Sequence, residues 1–137
     1  MIFLDTNVVS ETLRLSPEAR ILQWLERHDA ELALNTVVIA ELAFGIDKIR
    51  PDQRARRLSA GLDEWRRRFA GRIFSFTEEA ALAYGEIMGF AVRSGRLMSA
   101  QDGMIAAIAR INDAPLATRN RSDFEIADIR VIDPWSE

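Results

Sequence analysis

Ile2-Phe3-Leu4 runs without a break into Asp5-Thr6-Asn7. Three consecutive apolar residues suit a strand covered on both faces, although such a run is also compatible with helix. As the central strand of a parallel sheet, it would leave Asp5 at its carboxyl end. Open α/β sheets collect their ligands there, in the crevice beyond the strand ends. The later segments can then be searched for a second carboxylate that meets Asp5.

Val8 to Leu15 reads as a short helix that stops before Pro17. Ser16-Pro17-Glu18 carries the marks of a helix start: a serine cap, proline in the first helical position and an acid in the first turn. The helix that follows holds Ile21, Leu22, Trp24 and Leu25 and runs to about His28. Leu32-Ala33-Leu34-Asn35 is a second strand, and Thr36 is the expected cap of a helix reaching Ile49. Pro51-Asp52 opens another helix to about Phe69, and Ile73-Phe74-Ser75-Phe76 alternates like a third strand. Thr77, with Glu78 and Glu79 behind it, starts a long helix that Gly95 closes. Ser99 opens the next, through about Asn112. Pro115-Leu116-Ala117 and Val131-Ile132 are the last strands. Strands separated by helical segments imply an α/β fold, a mainly parallel central sheet flanked by helices. With no linker, repeat or low-complexity segment in sight, residues 1–137 are expected to form a single domain.

Composition narrows the chemistry. Hydrophobic residues make up 48% of the chain and charged residues 28%, an ordinary globular balance. No apolar run approaches the length of a membrane span, and no secretory leader pattern is visible, so a cytoplasmic address is expected. The absence of cysteine excludes disulfides, thiolate nucleophiles and cysteine metal sites. The net charge of -3 lacks the basic footprint of many nucleic-acid binders. Arg54, Arg56, Arg57, Arg66, Arg67, Arg68 and Arg72 are nonetheless concentrated in one stretch. They form either a solvated helix face or a patch that tracks phosphates.

Acids that interrupt apolar faces carry the most information. Glu41 stands within Val37-Val38-Ile39-Ala40-Glu41-Leu42-Ala43-Phe44 and shares a helical face with Val37, Val38 and Phe44. It is either paired at the edge of the core or held for a purpose, since an unpaired buried carboxylate is costly. Asp102 belongs to Ser99-Ala100-Gln101-Asp102, a capping pattern, and also lines up with Ile105, Ala106 and Ala109. Asp5, Glu41 and Asp102 each fall near a strand end or helix start, positions that share one edge of a parallel α/β sheet. Three carboxylates brought together repel unless one is protonated or a cation neutralises them. Hard oxygen ligands without cysteine, and with His28 alone for histidine, point to Mg²⁺ or Mn²⁺ rather than zinc. Such an ion suits phosphodiester hydrolysis. His28 reads as a surface residue near a helix C-terminus.

These residues make the chain resemble the PIN-domain ribonucleases, specifically the VapC-type toxins of toxin–antitoxin pairs and their FitB-like group. The carriers are Met1 to Glu11, Ala40-Glu41-Leu42, the stretch from Ser99 to Ala107, Ala117-Thr118-Arg119-Asn120 and Asp133-Pro134-Trp135. The resemblance implies a Mg²⁺- or Mn²⁺-dependent endoribonuclease acting on tRNA or rRNA, with Asp5, Glu41 and Asp102 at the metal. It gives Thr6 a hydrogen bond to a ligating carboxylate or a metal-bound water, unless its hydroxyl only shapes the turn. Many relatives carry a fourth acid where this chain has Asn120. Asp123 could substitute, or could simply cap its own loop. The resemblance further implies a homodimer and a cognate antitoxin that wraps the toxin and brings operator DNA. Trp24, Leu25 and Phe44 are either contact points for it or core residues.

Two rivals remain. A PIN-fold binding module, acting mainly in an antitoxin complex on operator DNA, is favoured by the neutral Asn120. A receiver-like phosphorylation domain would need a late lysine, whereas the single lysine is Lys48.

Overall fold

The computed structural model describes residues 1–137. The strands β1 (Ile2–Leu4), β2 (Leu32–Asn35), β3 (Ile73–Phe74), β4 (Leu116–Ala117) and β5 (Val131–Ile132) form a parallel sheet ordered β3-β2-β1-β4-β5. The apolar run of β1 is central, as its sequence demands: Ile2, Phe3 and Leu4 are buried. Phe3 pairs with Ala33 on one side and Leu116 on the other. From β1 the chain winds outward to β2 and β3, then returns to add β4 and β5 on the other side. The winding direction therefore reverses between β1 and β4, and the crevice at such a reversal is where parallel sheets bind ligands.

Seven helices flank the sheet: α1 (Thr6–Thr12), α2 (Ala19–His28), α3 (Thr36–Asp47), α4 (Gln53–Arg68), α5 (Glu78–Arg93), α6 (Ala100–Ile111) and α7 (Arg121–Phe124). The core beneath them includes Phe3, Leu4, Ile21, Trp24, Ile105, Ile108 and Phe124. Each large apolar side chain buried there contributes about 1.5–3 kcal/mol. α6 is buried from Ile105 through Ala109, and its alanines let it lie close to its neighbours. Gly103 brings α6 against α5, since a Cβ there would stand 2.6 Å from Met88 Sδ and 3.0 Å from Tyr84 Cε2. A helix pressed in this tightly holds the adjacent Asp102 in place.

Several boundaries differ from the sequence expectation for identifiable reasons. α1 begins at Thr6, two residues early, because the Asp5 carboxylate accepts the Thr6 N–H and caps it. α2 begins at Ala19, not at Ser16-Pro17, because the Glu18 N–H is drawn to Glu11 Oε2 at 2.9 Å. Asn35, not Thr36, caps α3 by accepting the Val38 N–H at 2.9 Å. The Thr36 hydroxyl instead accepts the Phe76 N–H at 3.3 Å, which ends β3 at Phe74. Gly95 does close α5, in the left-handed region at φ 70°, while the Arg96 N–H returns to Ala91 O at 2.9 Å.

The arginine-rich stretch is mostly self-neutralised. Arg54 pairs with Asp52, Arg66 with Asp63, Arg67 with Glu64 and Arg68 with Asp29. Arg72 bonds the Asp29 and Leu32 carbonyls and lies 4.2 Å from the Phe69 ring centroid. This is a solvated helix face. Trp24 and Leu25 are core residues, whereas Phe44 is 69% exposed and does not share a buried face with Glu41. No helix is long and apolar enough to cross a membrane.

Candidate functional site

Asp5 follows β1 directly and occupies both ends of the local geometry, with its N–H in the sheet and its carboxylate capping α1. Its N–H donates to Ala117 O at 2.9 Å, across the reversal between β1 and β4. Its Oδ1 accepts the Thr6 N–H at 2.8 Å. Its Oδ2 accepts the Thr118 hydroxyl at 2.7 Å and Asn7 Nδ2 at 3.3 Å. Thr118 is the fully buried residue after β4. Its oxygen also accepts Asn7 Nδ2 at 3.2 Å and the Asn120 N–H at 3.0 Å. Three residues at two neighbouring strand ends thus lock one carboxylate, with Asn120 bonded in turn to Thr118.

Glu41 and Asp102 arrive from helices. Asp102 lies in the first turn of α6, where Ser99 caps the helix by accepting the Asp102 N–H at 3.1 Å. Ile105, Ala106 and Ala109 are buried below it, as the periodicity predicts. Glu41 is in the middle of α3 rather than near its start. It reaches the same place from the helix flank, where its Oε1 accepts the Thr6 hydroxyl at 2.7 Å. Thr6 is therefore bonded to two of the three acids, one through its amide and one through its hydroxyl.

Asp5, Thr6, Glu41, Asp102 and Asn120 line one open pocket of about 450 Å³, together with Asn7, Glu11, Arg14, Arg119 and Trp135. Asp123 does not line it, yet its charge acts on both aspartates. Asp5, Glu41 and Asp102 take part in none of the protein's ion pairs. The crowding is felt in the acidity of the two aspartates. Burial raises the Asp5 pKa, against the lowering effect of the Thr118 and Thr6 hydrogen bonds, and repulsion from Glu41 and Asp123 adds to the rise. Burial also pushes Asp102 up, to about 6, with the negative charges of Asp5, Asp123 and Glu41 contributing. As the side chains stand, no three acids are arranged to hold a metal ion together.

Glu11 lies in the same pocket wall and behaves in the opposite way. The Glu18 N–H and the Arg14 guanidinium, at 3.1 and 3.2 Å, hold its pKa below the usual glutamate value. Sequence reasoning assigned no role to Glu11, Asn7 or Thr118. The signal for Thr118 was available: it follows a strand predicted to end at the same sheet edge as Asp5. For Glu11 only the pairing with Arg14 had a signal, the three-residue spacing; its bond from the Glu18 N–H crosses a turn with no regular pattern. His28 is on α2, half-buried and 3.1 Å from Glu31, away from the pocket.

Comparison with known proteins agrees with this architecture. The chain is 37% identical to toxin FitB of Neisseria gonorrhoeae, each covered over its full length. It is 36% identical to the VapC ribonuclease Y4jK of Sinorhizobium fredii, with 98% of each covered. The solved structure of FitAB bound to the IR36 DNA fragment superposes with a TM-score of 0.89 at 35% identity, over 98% of this chain and 96% of that one. The PIN domain family matches residues 2–129. By sequence, by sheet order and by its full-length relatives, this chain belongs to the PIN-domain family, on its FitB- and VapC-like branch.

Proposed function

We propose that the protein is a metal-dependent endoribonuclease toxin that hydrolyses RNA phosphodiester bonds in the acidic pocket. The observation that carries this reading is the convergence of Asp5, Glu41 and Asp102 on one open pocket with no cationic side chain paired to any of them. The raised pKa values of Asp5 and Asp102 mark negative charge that the fold concentrates without neutralising. The names of the relatives support the activity class: one is a VapC ribonuclease and another a tRNA(fMet)-specific endonuclease.

The donor set fits Mg²⁺ or Mn²⁺, being all oxygen, anionic and open to solvent on one side. Asp5 is the fixed member, because its carboxylate is held by Thr6, Asn7 and Thr118. Glu41 and Asp102 would close around the ion by side-chain rotation, with Thr6 steering Glu41 through its hydroxyl. A bound divalent ion supplies positive charge to the phosphate and acidifies the attacking water. Asn120 adds no charge to the pocket, and Asp123 acts on it from outside the lining. A single tight ion per chain is therefore expected. Calorimetric titration with Mn²⁺ checks this, and two tight sites would refute it.

The test of the activity is cleavage of tRNA and rRNA by purified protein with Mg²⁺ or Mn²⁺, beside Asp5→Asn. A variant that cuts as fast as the parent would overturn the mechanism. A second reading, a weakly catalytic module working with an antitoxin on operator DNA, draws on Asn120 and on the DNA-bound FitAB relative. Absence of cleavage together with antitoxin-dependent binding of promoter DNA would select it. An antitoxin partner and a homodimer both suit the exposed Phe44, Leu82 and Phe90. Light scattering of the chain with and without its partner measures both.

A further inference from the structure

Among the eleven residues that line the acidic pocket, one is hydrophobic, and it is Trp135. The surroundings fix its position with care. Its carbonyl accepts Arg20 Nη1 at 2.6 Å, and its N–H donates to Asp133 Oδ1 at 2.9 Å. The ring is only partly buried, unlike Trp24 and Trp65, which are 1% and 7% exposed. The Arg119 guanidinium lies 4.9 Å from the Trp135 ring centroid. Arg119 takes part in none of the protein's ion pairs. Its backbone N–H donates to Asn7 Oδ1 at 3.3 Å, which ties this corner to the network around Asp5.

We propose that Trp135 and Arg119 form a seat for one unpaired nucleobase of single-stranded RNA, beside the phosphate presented to the acids. The inference rests on the nuclease reading and adds how the substrate is held. An indole in an otherwise polar pocket offers the kind of surface on which a base stacks, and a guanidinium plane stacks in the same way. Arg119, in no ion pair, keeps its guanidinium N–H groups for a phosphate oxygen. A pocket of about 450 Å³ is within the size range of small-molecule sites. Bases in a duplex have their faces covered by their neighbours, so the seat selects unpaired RNA. Every base has a π-face, so it selects weakly among sequences.

Trp135 is a positioning residue here, and its fluorescence reports the contact directly. Asp5→Asn protein with Mg²⁺ is titrated with a short single-stranded oligoadenylate, with its duplex, and with a ribose-phosphate strand of equal length lacking bases. The expected result is quenching by the single strand alone, over a constant background from Trp24 and Trp65. The strand without bases should bind roughly tenfold more weakly. Adding Trp135→Ala should weaken oligoadenylate binding by a similar factor, and Trp135→Phe should restore affinity while abolishing the quench. Equal affinity for strands with and without bases, or Trp135→Phe as weak as Trp135→Ala, overturns the seat. The comparison of strands needs no substitution at Trp135 and decides the matter even if Trp135→Ala fails to fold. Cleavage by the unsubstituted chain is measured alongside. Cleavage without base-dependent quenching removes the seat and leaves the nuclease. Base-dependent quenching without cleavage removes the nuclease and leaves the seat.

Discussion

Glu11 and Asp5 are carboxylates of one pocket, each 5% exposed, and burial alone would raise the pKa of both. Glu11 ends up more acidic than a free glutamate and Asp5 less acidic than a free aspartate. The difference lies in their partners. Glu11 has a guanidinium and a backbone N–H, so its charge is settled inside the protein. Asp5 has neutral donors and acidic neighbours, so its charge is oriented but not settled. One carboxylate is used to build the turn between α1 and α2; the other is held in place by neutral donors with no cation of the chain paired to it.

The sharpest way to break this contrast is to neutralise each acid in turn. Asp5→Asn should reduce RNA cleavage about a thousandfold or more, since an ion site supplies several kcal/mol of charge stabilisation. Its melting temperature should not fall, which a thermal scan without metal would show. Glu11→Gln should behave in reverse and lose about 1–3 kcal/mol of stability, because Arg14 and the Glu18 N–H lose their charged acceptor. Chemical denaturation measures that loss, and an Asp5→Asn that proved equally destabilising would erase the distinction.

Smaller effects refine it. Thr118→Val deletes the hydroxyl donor to Asp5 and should cost on the order of 1–2 kcal/mol. The same change should raise the Asp5 pKa further and move the pH–rate profile of cleavage to higher pH. Finally, raised acid pKa values mean that the folded chain binds more protons than the unfolded chain between them. In EDTA, the stability that Asp102 and Asp5 contribute is fully present below the unfolded pKa near 3.8. For Asp102 it is lost as pH rises through about 6. The expected drop is on the order of 1 kcal/mol, because Asp102 is half-exposed and screened. Melting curves across that range should flatten in Asp102→Asn, and Mn²⁺ should restore the lost stability above pH 6.

Much of this was legible in the residues alone. The run Ile2-Phe3-Leu4 marked the central strand, and alternating strand and helix signals implied the parallel sheet. Asp5 and Asp102 stood where the strand-end rule and the capping pattern put them. What escaped depends on contacts made far along the chain. Thr118 acquires its meaning only when β4 lies beside β1. The start of α2 is displaced by a bond to Glu11, and local helix signals carry no trace of it. Phe44 matched a helical face by spacing, yet the face it shares is turned outward.

The link between Asp5 and Thr118 spans 113 residues. At a synthesis rate of about 5–20 residues per second, the ribosome makes the two ends of that link roughly 6–23 s apart. Throughout that interval the aspartate lacks the Thr118 hydroxyl and β1 lacks β4 beside it. A growing chain therefore carries an incomplete pocket, and any product truncated before Thr118 lacks this bond to Asp5. If the finished molecule is a toxin, its danger begins only when translation is nearly over, which gives a partner already made time to be waiting.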